Sequence, residues 1–244
     1  MQLPSFKLER YFAEYEFKAK YLLCSSDCES ISAGELLAYE PEAEEDLKRL
    51  WLGYTESPGS PSLRQEISQI YSTILPEQVL VQNGVEEAIF LFMHALLKPG
   101  DHIIVHWPSY ESLFEIARSI GCKVTFWEAR LQNKWSLDLG DLKKNLRSNT
   151  RAVIVNTPHN PTGFLMQQSD FRELNAVMQE RGIVLFSDEV YRELEYEPTD
   201  RLPTVCDINQ SGVSLGVMSK AYGLAGLRIG WIATHNAPVF KRIA

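Results

Sequence analysis

The sequence has no block of clustered Lys and Arg, and its 24 basic against 32 acidic side chains leave a net charge of −8. That excludes nonspecific nucleic-acid binding, which draws on clustered cations to displace counterions from phosphates. No apolar run reaches membrane length: the longest, AIFLFMHALL at Ala88–Leu97, is too short to span a bilayer and contains a histidine. The opening MQLPSFKLERYF has no continuous apolar core and does not read as a secretory signal. Cysteine is scarce. Cys24 and Cys28 form the one close pair, with no second pair and no histidine nearby, so a zinc site is not expected, and the five histidines do not cluster either. The expected setting is the cytoplasm, with the thiols reduced.

What is present suits a soluble globular domain. Apolar residues make up 45% and charged residues 23%, and 244 residues are enough for one large domain, or for one domain plus a smaller piece. There is no internal repeat. The character of the chain changes at GYTESPGSPSLR (53–64), rich in Gly, Ser and Pro. Residues 1–52 are charged and lean towards helix, and the acidic run in EPEAEEDLKRLW is expected to be a solvated helix face. Residues 53–244 alternate between strand and helix.

Ser62 followed by Gln65 has the capping-box pattern, and Leu63, Ile67, Ile70, Tyr71 and Ile74 then recur at helical spacing. QVLVQN, HIIVHW, KVTFWEA, RAVIVNT, IVLFSDE, VSLGVMS and RIGWIAT read as seven short apolar strands. Between them lie helices opened at Gly84, capped at Ser109 and stopped at Gly121, and stopped at Gly182, with a short one in LGDLKKNL. Strands that are nearly all apolar and alternate with helices predict a three-layer α/β/α domain around a mostly parallel seven-stranded sheet. Ligands of such sheets bind beyond the carboxyl ends of the strands.

The residues at those ends are chemically distinctive, although each has an ordinary structural reading as well. Asn83-Gly84-Val85-Glu86 leads into a helix whose free amides and dipole suit a phosphate, or simply starts a helix with acids in its first turn. Tyr110 follows a proline turn and can stack on a flat ligand or lie half-buried between strand and helix. Asn160 precedes Pro161, which restrains it, as in any Asn-Pro turn. Asp188 ends a very apolar strand, where a carboxylate needs a partner unless it caps a helix, and Tyr191 stands three residues on. Ser219-Lys220 precedes a loop with Gly223, Gly226 and Arg228. A lysine there is either a surface cation or a nucleophile whose amine pKa falls among apolar neighbours, and the arginine fork fits a phosphate. Taken together the set matches a phosphorylated pyridine aldehyde bonded to lysine, pyridoxal 5'-phosphate.

The ordered motifs YTESPGSPSLR, NGVEEA, PSY, NPTG, DEVY and SKAYGLAGLRIGW resemble those of the class I/II aminotransferases, fold-type I pyridoxal-phosphate enzymes, over about Gly53 to Thr234. The resemblance implies a Schiff base on Lys220, which then moves a proton at the substrate. It implies that Asp188 pairs with the pyridine nitrogen, that Tyr191 and Asn160 bond the ring's phenolic oxygen, and that Tyr110 stacks. Arg228, Ser219 and the backbone at Gly84 and Val85 fall to the phosphate, Glu86 to the cofactor site beside them, and Tyr54 to the phosphate of a second subunit in a homodimer. The substrates implied are an amino acid and a 2-oxo acid. A lyase or decarboxylase of the same fold, or an inactive cofactor-binding fragment, shares these residues. In two respects the sequence departs from the family pattern. Val217 stands where many members carry a phosphate-binding serine, and the chain stops at Ala244, ahead of the C-terminal small domain with its carboxylate-binding arginine. The expectation is a truncated product, with residues 1–52 as the N-terminal share of the small domain and 53–244 as the large domain.

Overall fold

A computed structural model describes residues 4–244. The seven predicted strands are all present: β1 (Val79–Gln82), β2 (His102–Trp107), β3 (Lys123–Glu128), β4 (Thr150–Asn156), β5 (Val184–Asp188), β6 (Val213–Val217) and β7 (Gly230–Ala233). They form one sheet in the order β1-β7-β6-β5-β4-β2-β3. Only β7 runs antiparallel to its neighbours, β1 and β6. Because it is reversed, its N-terminal end lies beside the carboxyl ends of the others.

Alternation along each strand builds two cores from one sheet. Ile103 and Val105 of β2, Ala152 and Ile154 of β4, and Val184 and Phe186 of β5 face one side. They pack there with Phe92 of α5 (Val85–Leu96), Ile116 of α6 (Ser112–Ile120) and Ile243 of α10 (Ala237–Ile243). Ile104, Val153, Val155 and Leu185 face the other side, against Leu142 of α7 (Leu139–Asn145), Leu174 of α8 (Gln168–Arg181) and Val205 of α9 (Val205–Ile208). Both faces of the sheet are covered, which is why most strand positions are apolar and several of the polar ones, such as His102, Asn156 and Asp188, are buried.

Helix stops follow the glycines. Gly121 and Gly182 take φ of 98° and 64°, in the left-handed region where a Cβ is unfavourable. Two of the predicted starts are corrected. In α4 (Pro61–Ser68), Pro61 occupies the first turn and Ser60 the cap position, and no capping-box bond forms at Ser62. Proline's fixed φ already starts that helix without a side-chain cap. Ser109 does not cap α6, because the chain turns through Pro108–Tyr110 and the helix begins at Ser112, with Glu111 at its cap position.

Ahead of the sheet, α1 (Lys7–Tyr15), α2 (Ala33–Leu37) and α3 (Ala43–Arg49) bury none of their residues. The acidic run is indeed a solvated face of α3, with Glu44 and Glu45 on Lys48 and Asp46 on Arg49. Glu111 accepts from the Lys7 N–H at 2.6 Å and so holds the start of α1 against the sheet end. The Ile31 N–H donates to the Gly223 carbonyl at 3.2 Å, joining the N-terminal segment to the loop that follows β6.

Candidate active site

The carboxyl ends of β4, β5 and β6, the start of α5 and the segment entering β7 enclose a cavity of about 430 Å³. Nine predicted site residues line it: Val85, Glu86, Tyr110, Asn160, Asp188, Tyr191, Ser219, Lys220 and Arg228. Gly84 lies directly behind the wall, and the reversed β7 brings Arg228 to the same rim as Lys220. Tyr54 is fully exposed and stands outside the cavity.

At one end the start of α5 and Arg228 form a cradle that could hold an anion. Gly84 takes φ +86°, and no side chain caps the first turn of α5. Its own N–H donates to the Gln82 carbonyl at 2.8 Å, so the uncommitted amides begin at Val85. A Cβ on Gly84 would stand 3.0 Å from Arg228 Nη2, which puts the guanidinium against these amides. Arg228 itself adopts a left-handed φ of 55°. Val217 presents an apolar wall beside Ser219. Gly230 at the start of β7 keeps the cradle close, since a Cβ there would fall 2.8 Å from the Gly84 carbonyl carbon. Gly230→Ala is therefore expected to displace the cradle at a cost of about 1–3 kcal/mol. A roughly tenfold or greater loss of affinity for a phosphorylated ligand, read by equilibrium dialysis, checks this.

The opposite wall carries the acid. No helix follows β5, so Asp188 caps nothing of that kind, and its carboxylate accepts a single hydrogen bond, from the Val190 N–H at 3.3 Å. Burial, with Glu86 and Glu189 adding to it, pushes its pKa up to about 7. The polar contacts around it go to its backbone instead: Asn156 Nδ2 and the Thr157 N–H both donate to the Asp188 carbonyl at 2.9 Å. Asn156 Oδ1 in turn accepts from the Asn160 N–H at 2.7 Å and sets where Asn160 stands. Asn160 Nδ2 then donates to Tyr191 Oη at 3.0 Å, so the amide and the phenol form one polar edge. The Tyr191 pKa is raised, chiefly by burial.

Tyr110 is half-buried, as the structural alternative had it, and also forms part of the cavity wall. Its hydroxyl donates a short hydrogen bond to Glu9 of α1. Burial first, then Glu9, holds the phenol well above its ordinary range. Glu86 accepts from Ser112 Oγ at 3.3 Å, and burial raises its pKa to about 7. It can therefore stand beside the cradle as a neutral acid near neutral pH.

Lys220 departs from the expectation of a lowered pKa. Burial does disfavour its ammonium, but the Asp27 carboxylate at 2.6 Å, with Tyr191 and Cys28 adding to it, outweighs burial and leaves the pKa raised. The ammonium also stands 5.6 Å from the centroid of the Tyr191 ring. Asp27, Glu9 and Asn156 are the site residues that motif reading missed. Asn156 had a usable signal, as the last residue of an apolar strand; the first two had none.

Among the described residues no helix is long and apolar enough to cross a membrane. A family model described as aminotransferase class I and II matches residues 21–244. Capreomycidine synthase of Streptomyces vinaceus is 33% identical over 231 residues, covering 94% of this chain and 59% of that protein. An aspartate aminotransferase of Thermotoga maritima is 31% identical over 237 residues, covering 91% of this chain and 62% of that protein. The structure of a PLP-dependent aminotransferase from Streptococcus suis matches with a TM-score of 0.91 at 33% identity, over 100% of this chain and 65% of that one. The chain thus spans about three fifths of the length of these curated relatives. The family match across most of the chain and the shared seven-stranded architecture lead to one conclusion: this chain belongs to the aminotransferase class I and II family.

Proposed function

We propose that the protein transfers an amino group from an amino acid to a 2-oxo acid, using pyridoxal 5'-phosphate. The observation that carries this reading is that one cavity holds an anion cradle, a buried acid without a cation bonded to it, and a lysine amine. The residues fit the cofactor. The α5 amides from Val85 onward, with Arg228 and Ser219, would hold the phosphate, and Glu86 would stand beside it as a neutral acid. Asp188 sits where a protonated ring nitrogen would supply the positive charge its burial demands. Tyr191 and Asn160 would bond the ring hydroxyl, and Tyr110 would cover the ring.

When bound, the cofactor supplies an electron sink for the pair left behind as a proton leaves the amino acid's Cα. Lys220 is the one lysine among the described residues lining the cavity; it would anchor the cofactor, then take that proton and return it. Asp188 would keep the ring nitrogen charged during the transfer. The reading extends to a homodimer in which Tyr54 reaches the partner's phosphate, to a cytoplasmic location, and to residues 1–52 serving a small domain beside the large domain of 53–244.

Incubating the chain with pyridoxal phosphate and single amino acids tests the reaction. Amino transfer yields a 2-oxo acid in equal amount with pyridoxamine phosphate. Release of carbon dioxide or ammonia without pyridoxamine phosphate would make the protein a decarboxylase or lyase instead.

A further inference from the structure

The N-terminal segment reaches the cavity from 193 residues away in sequence and places one carboxylate directly on the lysine. Asp27 accepts from Lys220 Nζ at 2.6 Å. The pair sits at the cavity mouth: the lysine side chain is 17% exposed and the aspartate 56%. Its position is built by backbone. The Asp27 N–H donates to Ser25 Oγ at 3.2 Å, and four residues on the Ile31 N–H bonds the Gly223 carbonyl. Gly223 takes φ +66°, and a Cβ there would meet the Glu29 carbonyl oxygen at 2.9 Å. The segment and the lysine loop therefore touch main chain to main chain, and only glycine allows that approach.

A lysine bonds a carbonyl carbon only as the neutral amine. The ammonium must first release a proton to solvent. The nitrogen lone pair then forms the C–N bond, and the carbonyl oxygen departs as water, taking up the two N–H protons of the amine as the second C–N bond forms. An anion bonded to Nζ works against the first of these steps. The other groups facing Nζ are Tyr191, Cys28 and, across the cavity, Asp188. Among the described residues only Asp27 forms an ion pair with Nζ.

We propose that Asp27 is a positioning residue that holds Lys220 as an ammonium in the cofactor-free chain and must release it before the amine can bond a carbonyl. This rests on the reading of Lys220 as the cofactor's anchor. In that reading Asp27 sets how fast and at what pH the cofactor is captured, and it is left at the mouth without its cation once capture is complete.

The test compares wild type, Asp27→Asn and Asp27→Glu. Lys220 reactivity is read by trace acetylation with acetic anhydride between pH 7 and 11, quantified by peptide mass spectrometry. Capture of pyridoxal phosphate at pH 7.5 is read separately, by borohydride trapping. Asp27→Asn is expected to increase acetylation of Lys220 at pH 8 about fivefold, the upper range for a partly exposed ion pair. It is also expected to speed trapping by a similar factor, while Asp27→Glu stays near wild type. Equal acetylation profiles for wild type and Asp27→Asn, with matching circular dichroism, would overturn the inference. Shifted acetylation without any trapping in either chain would uphold the role of Asp27 and refute the cofactor reading.

Discussion

Asp188→Asn is expected to slow amino transfer by about two to three orders of magnitude while making the cofactor-free chain more heat-stable at pH 8. Both effects come from the same carboxyl. Burial lifts its pKa from the ordinary carboxylate range to about 7, so the folded chain prefers the protonated form. A group whose folded pKa is raised contributes its full stability below the unfolded value, near 4, and loses it as pH rises through 7. At pH 8 the wild type thus bears an ionised buried acid, at a cost on the order of a few kcal/mol. Asparagine has no such cost and keeps an oxygen for the Val190 N–H. The melting temperature should rise by several degrees at pH 8 and by less at pH 5, measured by scanning calorimetry. In the working site the same substitution leaves the ring nitrogen without its anion, and stopped-flow half-reactions should record that loss. An unchanged rate would remove Asp188 from the proposed chemistry.

The second large effect concerns Lys220. Lys220→Ala is expected to lower the amino-transfer rate by about 10² to 10⁴, the usual share of a positioned acid–base group. It leaves Asp27 without its cation, but that carboxylate is more than half exposed and water can serve it. The fold should survive, with circular dichroism unchanged. If Lys220 acts by moving a proton, small primary amines added to Lys220→Ala should restore part of the rate, more so at higher pH where they are neutral. A variant with a rate close to wild type would contradict the assignment.

Much of this site could be read from the chain because strand ends are local features. Apolar runs such as AVIVN and IVLFS mark β4 and β5, and the chemistry stands within a few residues of where they stop. Gly121 and Gly182 were legible as helix stops because a left-handed residue leaves a chemical signature. The failures were of two kinds. At α4 a proline does the work that a serine cap was expected to do, and at α6 the proline turn delays the helix past Ser109. The other failure is long-range. Asp27 meets Lys220 across 193 residues, and Glu9 meets Tyr110 across 101, through a segment whose helices bury none of their residues. The helical spacing of Leu8, Tyr11, Phe12 and Tyr15 marks α1 but does not say which partner it meets. Burial is the largest single influence on Lys220 and lowers its pKa, but Asp27 in contact, with Tyr191 and Cys28, together outweigh it and reverse the expected direction of the shift. A pKa argued from local sequence holds only while no distant charge is brought in.

The central claim is that Lys220 is the residue to which the cofactor is joined. The most direct measurement is to load the purified chain with pyridoxal phosphate, reduce it with borohydride, digest it, and map the added mass by peptide sequencing. The phosphopyridoxyl group is expected on Lys220, in the peptide containing SKAYGLAG, at close to one per chain. A folded chain that carries the label on other lysines, or carries none, would contradict the claim.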